Sequence, residues 1–153
     1  LGLWLAWPAG TAAPGTAAAS APRAGEIAWE PWSPERLAQL RAAGRPVFVD
    51  FTAAWCVTCQ VNKRVALNRE DVARSLAERG VVALKADWTN HDPRITAALA
   101  DLGRNALPVY ALYAPGAAQP KLLPEVLTAS LVIDEISRLP AATQAAIAPP
   151  ATR

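Results

Sequence analysis

Between residues 26 and 139 short apolar runs alternate with stretches whose apolar positions recur at helical spacing. "IAWEPW" (27–32) opens with a short strand signal. "SPERLAQLRAAG" (33–44) predicts a helix, with Ser33 at the N-cap, Pro34 at the first helical position and Gly44 at a left-handed end. Leu37 and Leu40 share one face of it. "PVFVDFTA" (46–53) predicts a strand that is apolar on both faces except at Asp50, and therefore buried. A helix is expected from Cys56 to about Leu67, and a second over 69–80, closed by Gly80. "VVALKAD" (81–87) predicts a strand, and "DPRITAALADLG" (92–103) repeats the helix recipe with Asp92, Pro93 and Gly103. "PVYALYAPG" (108–116) predicts a strand running into a turn. "KLLPEV" (121–126) reads as a short edge strand, where Pro124 is tolerated. "TASLVIDEISRL" (128–139) predicts an amphipathic helix with Leu131, Val132, Ile136 and Leu139 inward. This order of elements predicts an α/β sheet with helices on both faces.

The ends follow another pattern. "LGLWLAW" (1–7) is apolar apart from Gly2, yet a bilayer span takes about 20 residues. The chain holds no Met, and it is read as a piece of a longer protein that begins inside the last turns of a membrane helix. Trp4 and Trp7 then sit at the membrane–water boundary. The alternative is the end of a signal peptide's apolar stretch, because small residues follow. Residues 8–25 are rich in Ala, Pro, Gly, Ser and Thr and read as a flexible linker. Residues 140–153 read as a disordered tail, which leaves 26–139 as one folded domain. With 15 basic and 13 acidic residues the charge is nearly balanced, so nothing marks a nucleic-acid footprint.

The chemistry centres on the two cysteines of the chain, Cys56 and Cys59. A structural zinc site usually takes four Cys or His ligands, and this chain offers two Cys and His91, which is placed in a solvated loop. A disulfide closing a two-residue loop removes little chain entropy and so stabilises little. Cys-x-x-Cys at a strand-to-helix junction has a chemical use instead. Backbone N–H groups and the helix dipole stabilise a thiolate on the first Cys, and the second lies one turn on, within bonding reach. One sulfur attacks and the other resolves the mixed disulfide. Asp50, an acid in a buried strand, is a candidate proton acceptor, since burial raises a carboxyl pKa. Pro108 opens a strand at a place where a cis bond is conceivable, though composition alone gives that little weight.

"VDFTAAWCVTC" with "LPVYALY" resembles the thioredoxin superfamily, and more closely the C-terminal periplasmic domain of the DsbD thiol:disulfide interchange family and its ScsB-like relatives. "LKADWTNHDPRITAAL" and "GRNALPVYALYAPG" are similar to later segments of that family, so the resemblance covers about 29–139. It implies a thioredoxin-like fold, a central mixed β-sheet flanked by helices on both faces. It implies a protein-disulfide reductase that takes electrons from a membrane-embedded cysteine pair of the same parent protein. The acceptors are then that protein's N-terminal periplasmic domain or other periplasmic disulfide proteins. The implied place is a periplasmic domain of a bacterial inner-membrane protein, with no dissociable cofactor and no metal. By position, Cys56 becomes the exposed attacking thiol, Cys59 the buried resolving one, and Asp50 the acid beneath the pair. Pro108 becomes a cis-proline facing the disulfide, Leu107 offers backbone to a bound partner, and Trp55 shields the motif. Rival readings are a free-standing periplasmic thiol oxidase, a reductase for cytochrome c maturation, and a thioredoxin-like domain that binds without turnover. One position departs from the pattern: the family has an acid one turn after the second cysteine, and here Lys63 stands there. Lys63 is expected to reach into solvent; pointing inward it would favour a thiolate. Trp88, Tyr110 and Tyr113 are expected as core or rim aromatics.

Overall fold

The computed structural model describes residues 21–140. The apolar start (1–7), most of the linker and the tail from 141 onward lie outside the described residues. Five strands form one sheet: β1 (Trp29–Pro31), β2 (Val47–Thr52), β3 (Val82–Asp87), β4 (Val109–Tyr113) and β5 (Lys121–Leu123). Their spatial order is β1-β3-β2-β4-β5. The first three are mutually parallel, while β4 runs antiparallel to both β2 and β5, so the sheet is mixed. The helices are α1 (Pro34–Ala42), α2 (Val57–Asn62), α3 (Glu70–Glu78), α4 (Pro93–Asp101) and α5 (Ala129–Ser137), and a π-helical segment (Lys63–Leu67) continues α2.

Local chemistry explains the helix ends. The Ser33 hydroxyl accepts from the Arg36 N–H and the Asp92 carboxylate from the Arg94 N–H, each capping a helix that opens with Pro. α1 and α4 close alike: Gly44 and Gly103 take φ of +70°, and the next residue's N–H returns to the helix, Arg45 to Leu40 and Arg104 to Leu99. A side chain at either glycine would be strained by the left-handed backbone.

Central strand β2 places one cluster on each face of the sheet. Phe48 faces Tyr110, Leu112, Val72, Leu76, Val132 and Ile136, under α3 and α5. Val47, Val49 and Phe51 face Trp32, Leu40, Ile95 and Leu99, under α1 and α4. Each fully buried side chain of this kind contributes about 1.5–3 kcal/mol by leaving water. Asp50 and Thr52 share the Phe48 face, toward the C-terminal end of β2.

Four details differ from the sequence reading. β1 starts at Trp29, although Ile27 before it is buried. β5 ends at Leu123, because Pro124 has no N–H for the ladder. The helix expected over 56–67 turns π-helical at Lys63, and the Asn68 N–H bonds Lys63 O at 2.7 Å. Leu131 is half-buried at the margin of the cluster, whereas Val132, Ile136 and Leu139 are buried.

Candidate active site

The chain leaves β2 at Ala53 and turns at once into α2. The Cys56 N–H bonds Ala53 O at 3.2 Å, and the Gln60 side-chain amide donates to the same carbonyl at 3.0 Å. Cys56 is the N-cap of α2, and its Sγ accepts the Cys59 N–H at 3.2 Å. Cys56 and Cys59 are joined in a disulfide with Cα atoms 5.2 Å apart. Sequence placed Cys56 in the open, but in this oxidised state it is buried, 7% exposed against 1% for Cys59. Leu107 packs on the pair with Ala53. The Leu107–Pro108 peptide bond is cis.

Asp50 is 1% exposed, and neither carboxylate oxygen has a hydrogen-bond partner. Burial pushes its pKa up from 3.8 to about 6, and the positive charges of Lys63 and Lys85 oppose that rise. Sheet register fixes its flanks: Lys85 lies opposite on β3 and Tyr110 on β4. The Lys85 Nζ sits 5.0 Å from the centre of the Trp29 ring. Burial and the nearby Lys63 charge lower the Lys85 pKa, while Asp50 and Asp87 work the other way. Burial, then the Asp50 charge, holds the Tyr110 hydroxyl well above its ordinary pKa.

Lys63 is neither fully exposed nor buried. It lies four residues after buried Cys59, hence on the inward face, and is half-buried. Its charge is the larger of the two that oppose the rise at Asp50.

Sequence reasoning passed over Asn62. Its amide donates to Tyr110 Oη at 2.9 Å and to Glu125 O at 2.7 Å, and its Oδ1 accepts the Leu127 N–H at 3.1 Å. It therefore pins α2 over the β4 neighbour of Asp50 and ties down the segment leading to α5. A polar residue three positions after Cys59 on an apolar face was the available signal. Thr89 was also missed: its hydroxyl accepts the Ala54 N–H at 2.9 Å and its carbonyl accepts the Trp55 indole N–H at 3.2 Å. Trp55 is half exposed, and its ring stacks on His91 and tilts against Trp88. His91 is exposed as expected, yet its backbone is left-handed (φ 55°) and its ring meets both tryptophans. Tyr110 and Tyr113 are buried and Trp88 packs at the edge of the α1–α4 cluster. Among the described residues no group of three or more His, Cys, Asp or Glu is gathered as for a metal ion.

A mixed sheet with a Cys-x-x-Cys disulfide at the head of a helix, a cis-proline bond beside it and a buried acid in the central strand defines a thioredoxin-type dithiol–disulfide domain. Comparison with known proteins agrees. The Thioredoxin-like family model matches residues 28–115, and the chain belongs to that family. It is 37% identical over 86 residues to the thiol:disulfide interchange protein DsbD of Yersinia enterocolitica, covering 52% of this chain and 14% of that protein. It is 46% identical over 48 residues to DsbD of Ralstonia nicotianae, covering 31% of this chain and 8% of that protein. The chain thus spans a small part of the length of these curated relatives. Among solved structures, the oxidised C-terminal domain of Neisseria meningitidis DsbD superposes with a TM-score of 0.58 at 20% identity, covering 72% of this chain and 98% of that one. A thioredoxin from Thermus thermophilus gives 0.58 at 23% identity, covering 74% and 86%. These likenesses share the mixed sheet described above.

Proposed function

We propose that this domain exchanges thiols for disulfides, passing electrons from a membrane-embedded cysteine pair of its parent protein to periplasmic disulfide proteins. The observation that carries this reading is the Cys56–Cys59 disulfide at the head of α2, with the Cys59 N–H aimed at Cys56 Sγ. That donor favours a thiolate on Cys56 once the pair is reduced. The thiolate attacks one sulfur of a partner's disulfide and releases the other as a thiolate, leaving a mixed disulfide. Cys59 then gives up its proton and attacks Cys56 Sγ. The partner leaves with both sulfurs reduced, and this domain regains its disulfide. Asp50 receives the Cys59 proton, and Leu107 presents its backbone to the partner's extended segment beside Pro108. Similarity to DsbD supports the N-terminal periplasmic domain of the same parent protein as a principal acceptor. Residues 1–7 as a membrane-helix end, 8–25 as linker and 140–153 as tail belong to the same reading. The electrons travel on the cysteine pair, so the cycle calls for no dissociable cofactor.

The test is reduction of insulin disulfides by the chemically reduced domain, together with its equilibrium reduction potential. Stoichiometric reduction, with a potential nearer the roughly −270 mV of thioredoxins than the roughly −120 mV of strong oxidants, is expected. A potential at the oxidising end would make the domain an oxidase. No exchange with any disulfide would leave a binding domain only.

A further inference from the structure

We propose that Lys63 is a positioning residue for thiol exchange: with Lys85 it holds Asp50 ready to take the Cys59 proton. This rests on the exchange reading above. Asp50 is buried with two unpartnered oxygens, so no hydrogen bond stabilises its charged form. In such a place a carboxyl keeps its own proton and cannot accept another. What makes it an acceptor near neutral pH is positive charge brought to it through space.

Every element packed around Asp50 can be checked for that charge. β3 supplies Lys85, opposite in register, but its ammonium sits at the Trp29 ring. β4 supplies Tyr110, whose oxygen already accepts from Asn62. Neighbours on the same face of β2 are Phe48 and Thr52, which carry no charge. Asp87, which shares the field of both lysines, stands at the exposed end of β3 with its carboxylate held by Thr89. The remaining contribution comes from above, from the helix that carries the cysteines. Cys59 and Asn62 are buried and Lys63 is half-buried, and Asn62 ties that side to Tyr110 on β4 by one hydrogen bond and to the 125–127 segment by two more. Among the described residues neither Lys63 nor Lys85 forms an ion pair within 4.0 Å, so both act on Asp50 at a distance. Because Lys63 is one turn from Cys59, the helix that moves the attacking sulfur also carries the charge that readies the acceptor.

In the resolving step the Cys59 thiol passes its proton to the Asp50 carboxylate as its sulfur bonds Cys56 Sγ. The bond from Cys56 to the partner's sulfur breaks, and its electron pair leaves on that sulfur. Protonated Asp50 is then the less charged state, which its burial favours.

The test is Lys63→Met and Lys63→Arg, with the Asp50 carboxyl followed by carbon-13 NMR across pH in the reduced domain. The pH profile for decay of a mixed disulfide gives the second readout. Two unit charges roughly 6–10 Å apart at an effective dielectric of about 20–40 lead to an expected upward move of about 0.5–2 pH units in Lys63→Met. The decay profile should move by the same amount, and Lys63→Arg should restore both. Lys63→Gln serves if the Met variant does not fold. An Asp50 titration unmoved by both neutral variants overturns the proposal, as does an Arg variant that behaves like Met. An unmoved Asp50 in a domain that still reduces insulin removes only the role of Lys63. A domain that reduces no disulfide removes the exchange reading, whatever Asp50 does.

Discussion

Replacing Asp50 by Asn should make the folded domain more stable at neutral pH, by an amount that shrinks in acid. The carboxyl is buried without a partner, and its pKa rises from 3.8 to about 6 on folding. Each pKa unit corresponds to about 1.4 kcal/mol between protonation states, so ionising Asp50 costs the fold about 3 kcal/mol at pH 7.5. The sign follows from linkage. A group whose folded pKa is raised contributes stability that is complete below its unfolded pKa and is lost as pH climbs through its folded pKa, here between about 4 and 6. Asn carries no proton to lose, so the variant escapes that loss. Relative to wild type, its stability should rise between pH 4 and pH 7.5 by an amount on the order of 2–3 kcal/mol.

Urea unfolding of the oxidised forms, at pH 7.5 and pH 4, measures it. Comparing variant with wild type at each pH matters, because Asp71, Asp87 and Asp92 have lowered pKa values and lose stability in acid in both proteins. Keeping both proteins oxidised holds the disulfide constant. An advantage that is absent at pH 7.5, or equal at both pH values, would refute the electrostatic account of Asp50.

Three further outcomes are expected. On the proposed exchange reading, Cys59→Ser should accumulate a covalent adduct with a disulfide-bearing partner protein on a non-reducing gel, whereas Cys56→Ser should accumulate little; the reverse pattern would exchange their roles. Asn62→Leu should destabilise by about 3 kcal/mol in a urea titration, because it strips partners from the buried Leu127 N–H and from Glu125 O. Gly103→Ala should cost about 1 kcal/mol, all of it from the left-handed backbone, since nothing lies within 4 Å of an added Cβ; a loss of several kcal/mol would mean a clash after all.

Local rules made much of the fold legible. Ser33–Pro34 and Asp92–Pro93 mark helix starts, Gly44 and Gly103 mark ends, and the apolar run 46–53 stands out as the central strand. Those signals act within one turn of helix or one strand, where sequence distance equals spatial distance. The π segment was hidden because widening a turn by one residue leaves no compositional trace. The influence of Lys63 was hidden for a related reason: the default for a lysine is solvent, and the acid whose pKa its charge lowers stands on a strand 13 residues earlier. The Asn62 bonds reach 48 to 65 residues along the chain, and no local pattern encodes such partners. His91 looked like an isolated loop residue because its stacking partners become neighbours only when the β3–α4 turn closes beside Trp55.

Asp50 and Asn62 show how buried polarity divides between structure and chemistry. Asn62 ends the cysteine helix, Asp50 stands in β2, and both are 1% exposed. Asn62 makes three hydrogen bonds and is structural: its polarity is spent on holding α2, Tyr110 and the 125–127 segment together. Asp50 makes none, and an aliphatic residue of similar size would fill its place in the strand more stably. Lack of a partner does not by itself distinguish it, because Thr52 Oγ1 and Trp32 Nε1 are also unpartnered. Neither of those can ionise near neutral pH. Asp50 combines an ionisable group, a dry site and two cations acting from different elements, which is what the proposed proton acceptor requires. That combination destabilises the resting fold only where the group is charged, and on the proposed mechanism protonation during exchange relieves it. The cost in stability and the capacity to accept a proton are thus one property of the same buried carboxyl, and a substitution that removes the first should remove the second.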